Sequence, residues 1–392
     1  LPPALSAQRR LLSFVNNGQL QFGRGLSAAP FTDAGEDVAV VVSSSQGLVS
    51  YLIYTTRVMN NFNLNGSLLS TLNEKPNVGY LNTFKVIQVE NDNRELYPVL
   101  LYTGRSESVV CNVTDLNNPV LRNWFLQGQS LPLLQFAHRF DALAVGAIIT
   151  TVVDQEDLGQ CQIPSINMPS LGGFPLTLPP NPKDREWGLD IRVHQRGDIV
   201  FAVVAQTRIV NIYFADFLED PSFSLFNFVE KGAIAIPVDF DIIIMSLFDE
   251  FLAVCGLDQV LILEEQDEVG LYSPISTLAY PFAGANQQTR FCKFADAGRL
   301  VYGSPEGIAV FDFTVDSDPV MTLPDTRVTS MDVVNMVVSS THTAQLLLLG
   351  DSVANRVRVY ELNPVEFNYP DIITPSPIPP TPSPTRPPTP SP

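Results

Sequence analysis

One pattern recurs along most of the chain: an apolar stretch, a short polar turn, then a stretch in which apolar and polar residues alternate. Its copies are VAVVVSSSQGLVSYLIY from Val38, YPVLLYTGRSESVVCNV from Tyr97, DIVFAVVAQTRIVNIYF from Asp198, EFLAVCGLDQVLILE from Glu250, GRLVYGSPEGIAVFDF from Gly298 and TAQLLLLGDSVANRVRVYEL from Thr343. A seventh copy near Ala142, ALAVGAIITTVVD, lacks the clear turn. A nearly continuous apolar strand is buried on both faces, whereas an alternating one has a solvent side. Ile209, Asn211 and Tyr213 against Val210, Ile212 and Phe214 show the second kind. Gly, Ser, Asn or Asp in the turns suits hairpin loops.

The copies start near residues 38, 97, 141, 199, 250, 299 and 344. A multi-stranded unit repeated at about 40–50 residues is the sequence form of propeller blades. Stretches upstream (Phe84–Val89, Leu189–Val193, Val238–Ile244, Val328–Val334) and downstream (Val120–Leu126, Ser222–Phe228, Val320–Leu323) predict two further strands per unit. The expected fold is all-β: a seven-bladed β-propeller over residues 1–371, which leaves only short sheet edges. Leu11–Phe22 precedes the first hairpin and is expected to pair with the last blade and close the ring. Residues 155–188 form a proline-rich surface loop, and 372–392 an extended tail.

That tail ends TPSPIPPTPSPTRPPTPSP, with ten prolines in its last 19 residues. Proline fixes φ and lacks an N–H, so the expected form is a polyproline II rod of roughly 60 Å, without internal hydrogen bonds. It has almost no apolar side chains to bury, so its order has to come from contact with another chain, from attached sugars, or from both.

The formal charge of −18 argues against nucleic acid, which needs a basic footprint, and against anionic membrane surfaces. No 18-residue apolar span is present, so no transmembrane helix is expected. Asn65-Gly-Ser67 and Asn112-Val-Thr114 match the N-glycosylation pattern. Cys111, Cys161, Cys255 and Cys292 have no CxxC spacing for zinc; they are candidates for two disulfides in a secreted protein, with four buried thiols as the alternative. An opening Leu1 without methionine or a signal h-region suits a processed, secreted chain, and equally a partial one.

Signals for catalysis are poor. GxSxG, HExxH, GxxxxGK and GxGxxG are all missing, and the histidines are His138, His194 and His342. His194 follows a predicted inner strand; the plainer reading is a strand-end residue without a role. Asp190, Asp239, Asp241 and Asp332 lie at or near predicted inner strands, where carboxylates could gather round Ca²⁺ or, more simply, hydrogen-bond their own blade. Glu264-Glu265-Gln266-Asp267-Glu268 reads as a solvated turn. The 24 Phe read as core, while Trp187, beside the proline-rich loop, suits an exposed contact with a proline rod better than Trp124 does.

CNVTDLNNPVLRNWFLQG from Cys111, FADFLEDPSFSLFNF from Phe214 and FDFTVDSDPVMTLPD from Phe311 resemble the outer half of LVIVD-type propeller repeats, in which an acidic turn and an Asn/Asp-Pro step precede the outermost strand. Asp190-Ile191 and Met331-Asp332-Val333 resemble the inner half. The resemblance implies the fold and little about function. The tail resembles the Ser/Thr-Pro stalks of plant and green-algal hydroxyproline-rich glycoproteins. This implies hydroxylation or O-glycosylation at Thr374, Pro375, Ser376, Pro377, Pro379, Pro380, Thr381, Pro382, Ser383, Pro384, Thr385, Pro387, Pro388, Thr389, Pro390, Ser391 and Pro392.

The expectation is a non-enzymatic, extracellular structural glycoprotein. Its propeller head and tail self-assemble, or join another extracellular chain, in a fibre, wall layer or surface appendage. The alternatives are an adhesion or ligand-binding propeller on a stalk, and a propeller enzyme.

Overall fold

The computed structural model describes residues 10–15, 22–32, 34–44, 47–58, 61–72, 83–90, 96–103, 108–112, 120–121, 137–145, 147–154, 161–162, 190–196, 199–205, 208–216, 234–267, 270–282, 290–324 and 327–363. The described residues hold 27 strands in seven antiparallel sheets.

β1 (Arg10–Val15) stands apart from its sequence neighbours. The first complete sheet is β2 (Phe22–Pro30), β3 (Asp37–Ser44), β4 (Gly47–Val58) and β5 (Asn61–Leu72). The second is β6 (Thr83–Glu90), β7 (Leu96–Thr103), β8 (Ser108–Asn112) and β9 (Val120–Leu121). Three strands follow, β10 (Ala137–Val145), β11 (Ala147–Asp154) and β12 (Cys161–Gln162). The fourth sheet is β13 (Asp190–Arg196), β14 (Ile199–Ala205), β15 (Ile209–Asp216) and β16 (Ile234–Pro237). The fifth is β17 (Ile244–Phe248), β18 (Phe251–Cys255), β19 (Gln259–Glu265) and β20 (Tyr272–Ala279). The sixth is β21 (Phe291–Phe294), β22 (Arg299–Ser304), β23 (Gly307–Asp312) and β24 (Pro319–Pro324). The last is β25 (Ser330–Ser339), β26 (His342–Asp351) and β27 (Arg356–Glu361), with β1 added beyond β27. Leu12 to Val15 pair with Val359 to Arg356, so the two ends of the described chain share one sheet.

First strands lie against first strands. β2 neighbours β6, β6 neighbours β10, and the series runs through β13, β17, β21 and β25 back to β2. The second strand of each unit is the one whose apolar run the sequence shows. β18 is buried along its whole length, and Leu346 to Leu349 of β26 are fully buried. Their third-strand partners alternate, as β27 does from Arg356 to Glu361. The core therefore sits between sheets. One cluster joins Val40, Val42 and Ile53 of the first complete sheet to Leu346, Leu348 and Val359 of the last. Another joins Val254 and Leu252 to Val203 and Ile212. Each fully buried Val, Leu or Ile is worth about 1.5–3 kcal/mol relative to exposure, so second strands dominate the packing energy.

Three expectations shift. The upstream strand expected at Val238–Ile244 is β17, Ile244–Phe248, because Asp239 and Asp241 are exposed in the segment leading to it. The outer strand expected at Ser222–Phe228 falls outside the described residues; β16 takes the position beside β15. In the seventh copy, Ala142–Asp154 contains the first and second strands of its sheet, not the second and third, with Val145 paired to Ala147. The 155–188 loop, apart from β12, and the 372–392 tail lie outside the described residues, as do Trp124 and Trp187.

Candidate functional site

The first strands are where a central chemistry would be built, and their polar groups are committed to bonds between sheets. Asp190 opens β13 fully buried. Its Oδ2 accepts a hydrogen bond from the Met245 N–H of β17 at 2.7 Å, and its Oδ1 pairs with Arg192 Nη1 at 2.8 Å. Arg192 Nε donates in turn to the Met245 carbonyl at 2.9 Å. Asp190 and Arg192 are two apart on a strand, hence on one face, and together they grip both polar groups of one residue in the next sheet. Ser246 of β17 repeats the device on a smaller scale, accepting from Phe294 N–H of β21 at 3.1 Å. Lys293 of β21 reaches Asp332 Oδ1 of β25 at 2.8 Å, and Asp332 Oδ2 accepts from Ala28 N–H of β2 at 2.9 Å. The carboxylates at Asp190 and Asp332 thus tie neighbouring sheets together, rather than bonding only within their own blade. Asp241 pairs instead with Arg208 at an exposed site, 2.6 Å away.

Among the described residues, no group of three or more His, Cys, Asp or Glu side chains is placed to hold a metal. His194 lies in β13 opposite Phe201, and His138 in β10. His342 Nε2 is 3.1 Å from Glu361 Oε1 within the last sheet. Glu265, expected in a solvated turn, is buried, and its Oε1 accepts from Gly270 N–H at 2.6 Å. A lone carboxylate holding a tight turn leaves no period-2 signature, so the sequence hides it.

In a four-stranded meander the first and third turns lie at one end of the sheet, and the second turn and the outgoing segment at the other. At the second-turn end of the fifth and sixth sheets is a buried polar cluster. Tyr280 O–H donates to the Gly307 carbonyl at 2.6 Å and lies 2.8 Å from Ser304 Oγ. Ser304 Oγ donates to Glu306 Oε2 at 2.5 Å, and the Arg290 guanidinium, with its side chain wholly buried, is 3.7 Å from the same oxygen. Arg290 also stands 5.6 Å from the Tyr280 ring centre. Gly307 admits the Phe282 ring, which a Cβ would meet at 2.5 Å. Tyr302 O–H donates to the Gly256 carbonyl. Cys255 and Cys292, at the same end, are bonded across the two sheets; Cys111 and Cys161 sit in β8 and β12.

Burial raises the Tyr280 and Tyr302 hydroxyls above the ordinary phenol range, and pushes Tyr51 up to about 12. An unfolded tyrosine ionises near pH 10. These groups hold their protons longer when folded, so their contribution is fully present below about pH 10 and is lost as pH rises through their raised folded values, about 12 for Tyr51. Phenolate absorbance and unfolding, followed together, should show Tyr51, Tyr280 and Tyr302 ionising only as the fold is lost.

At the opposite end the same two sheets gather four phenylalanines. Phe248 and Phe251 flank the β17–β18 turn, Phe294 closes β21 and Phe313 follows β23. Ring centres are 6.4 Å apart for Phe248 and Phe294, 5.4 Å for Phe251 and Phe313, and 5.8 Å for Phe294 and Phe313. Asn65 is exposed within β5, and Asn112 ends β8.

No family model and no curated protein sequence matches the chain. Solved structures do. A chain of Polycomb Repressive Complex 2 from Chaetomium thermophilum, bound to GSK126, aligns with a TM-score of 0.55 at 8% identity over 91% of this chain and 99% of that one. The Pan2 WD40 domain of Neurospora crassa gives 0.51 at 12% identity over 94% and 100%. The Cps50 (Swd1) beta-propeller domain of Myceliophteria thermophila gives 0.52 at 10% over 90% and 100%. The fold is that of a β-propeller. At these identities the likeness concerns the fold alone.

Proposed function

We propose that the chain is a secreted structural glycoprotein, a seven-bladed propeller head whose proline-rich segment joins copies into an extracellular fibre, wall layer or surface appendage. The observation that carries this is the pairing of an all-β ring of sheets with a 19-residue Pro/Ser/Thr segment. The seven sheets with adjacent first strands support one blade per sheet, and β1 beside β27 supports closure through the N-terminal strand. The commitment of Asp190 and Asp332 to bonds between sheets fits a rigid head better than a catalytic centre.

The segment is read as a polyproline II rod bearing O-linked sugars on hydroxyproline, Ser or Thr, with N-linked sugars at Asn65 and Asn112. Exposure of Asn65 suits the latter. The outer-strand motifs align the head with LVIVD-type repeats, and the rod with hydroxyproline-rich stalks. A heterologous contact that does not close produces filaments. Truncation after Asp371 should leave the circular dichroism of the head unchanged and abolish assembly, read by sedimentation and electron microscopy. Peptide mass spectrometry of native material should find sugars on the segment. Filaments identical to those of the full chain would leave the segment a passive stalk and favour the adhesion reading.

A further inference from the structure

The phenylalanine end of the fifth and sixth sheets keeps apolar surface that the described residues do not cover. Phe248 presents 36% of its surface, Leu271 43% and Val315 78%, while the rings beneath are buried. Around them Asp249, Asp316 and Asp318 are exposed. An apolar strip rimmed by charge marks a docking surface.

The described chain leaves the sheets beside this strip. Gln345 N–H donates to Asn363 Oδ1 at 2.7 Å, and the Gln345 side-chain amide donates to Asp296 Oδ2. Asp296 Oδ1 caps the turn at Gly298 N–H at 2.8 Å, and the Gly298 carbonyl accepts from Phe313 N–H at 3.0 Å. Residues 364–373 add a tether of at most about 36 Å before the proline-rich segment starts, and it begins at the same end of the sheets as the strip.

We propose that this strip seats the chain's own proline-rich segment, Thr374–Pro392, in cis. A polyproline rod offers proline rings to aromatic and apolar side chains, and being preformed it forfeits little entropy on docking. Arg386 is the only charged residue in the segment; the turns it would meet expose Asp249, Asp316 and Asp318, while Arg299 at that end is held by Gln345 Oε1 at 3.1 Å. Tethering at Asn363 raises the local concentration of the segment into the millimolar range. The proposal rests on the reading of the segment as the assembling element and names its acceptor: the same contact made in trans, by exchange of segments, links copies.

The test places a photo-reactive benzophenone side chain at Thr385 of the full-length protein. The monomer fraction from an equal mixture of light and isotopically heavy chains is then irradiated. Cross-links to residues 248–250 and 312–318, within single isotopic species, are expected. Asp316→Lys with Asp318→Lys, on an exposed turn, should cut them at least fivefold, as should Phe248→Ser. Cross-links elsewhere, cross-links between light and heavy chains, or yields unchanged by the charge reversal would each overturn the assignment. Loss of assembly on truncation is read separately. A seated segment in a protein that assembles without it would sink the functional reading and leave the seat intact.

Discussion

Removing β1 should abolish the cooperative fold. Five residues of β1, Arg10 and Leu12–Val15, pair with β27 at the far end of the chain, and no other described strand occupies that edge. Val357 and Val359 of β27 are fully buried, in the cluster that joins the last sheet to Val40, Val42 and Phe22 of the first complete one. The turn at Asn355, which adopts φ of 51°, reinforces the junction by accepting Phe22 N–H at 2.9 Å. Without β1, β27 becomes an open edge whose N–H and C=O groups lose their partners, and this junction loses one wall. The expected cost exceeds about 4–5 kcal/mol, beyond what ordinary point substitutions reach. Thermal unfolding of a chain lacking residues 1–15 should be broad and non-cooperative. A finer test uses proline at Leu12 or at Ser13. Neighbouring N–H groups on a strand point to opposite sides, so only one faces β27, and the two variants should differ by at least about 1 kcal/mol. Equal and small effects would show that β1 is not needed for closure.

The reading of second strands succeeded because burial on both faces demands unbroken apolar runs: VAVVVSS in β3, FLAVC in β18 and QLLLLG in β26 declare themselves by composition alone. Alternation did the same for β19 and β27. First strands were harder to place, since they carry the polar residues that face the next sheet and so lack an unbroken apolar run. Ile244–Phe248 runs on in sequence from Ile242 and Ile243, and only pairing with Phe251–Cys255 marks where the strand begins. The Ala142 copy misled because Val145 pairs with Ala147, so no run of several polar residues marks the boundary between its two strands.

The polar network was half legible. Asp190 and Asp332 could be singled out as charged residues inside apolar strands. Their partners, Met245 N–H and Ala28 N–H, are backbone groups 55 and 304 residues away, which no side-chain pattern reveals. Ser246 and Lys293, which make the corresponding links at two other junctions, have nothing in the sequence to distinguish them from solvent-facing residues. The strip around Phe248 was invisible for a related reason: its phenylalanines come from two sheets and read individually as core.

Asp190 supplies the sharpest single-residue test. Its carboxylate has no exposed surface, is charge-paired with Arg192 and accepts from the backbone of the neighbouring sheet. Truncation to alanine removes the carboxylate that pairs with the guanidinium, whose side chain is only 19% exposed, and takes the acceptor from the Met245 N–H. Breaking one half of a buried pair costs about 3–5 kcal/mol, well above the 0–1 kcal/mol of a surface pair such as Arg208 with Asp241. Asp190→Ala should therefore lower the urea midpoint strongly with an unchanged slope, while Asp241→Ala barely moves it. Asp190→Asn keeps an oxygen for Met245 N–H and loses the charge, so its midpoint should fall between the two. The double variant Asp190→Ala with Arg192→Ala should recover part of the loss, because no buried charge is then left alone. If the single alanine variant loses less than about 1 kcal/mol, the inner strands are held by apolar packing alone, and the carboxylate becomes available for another role.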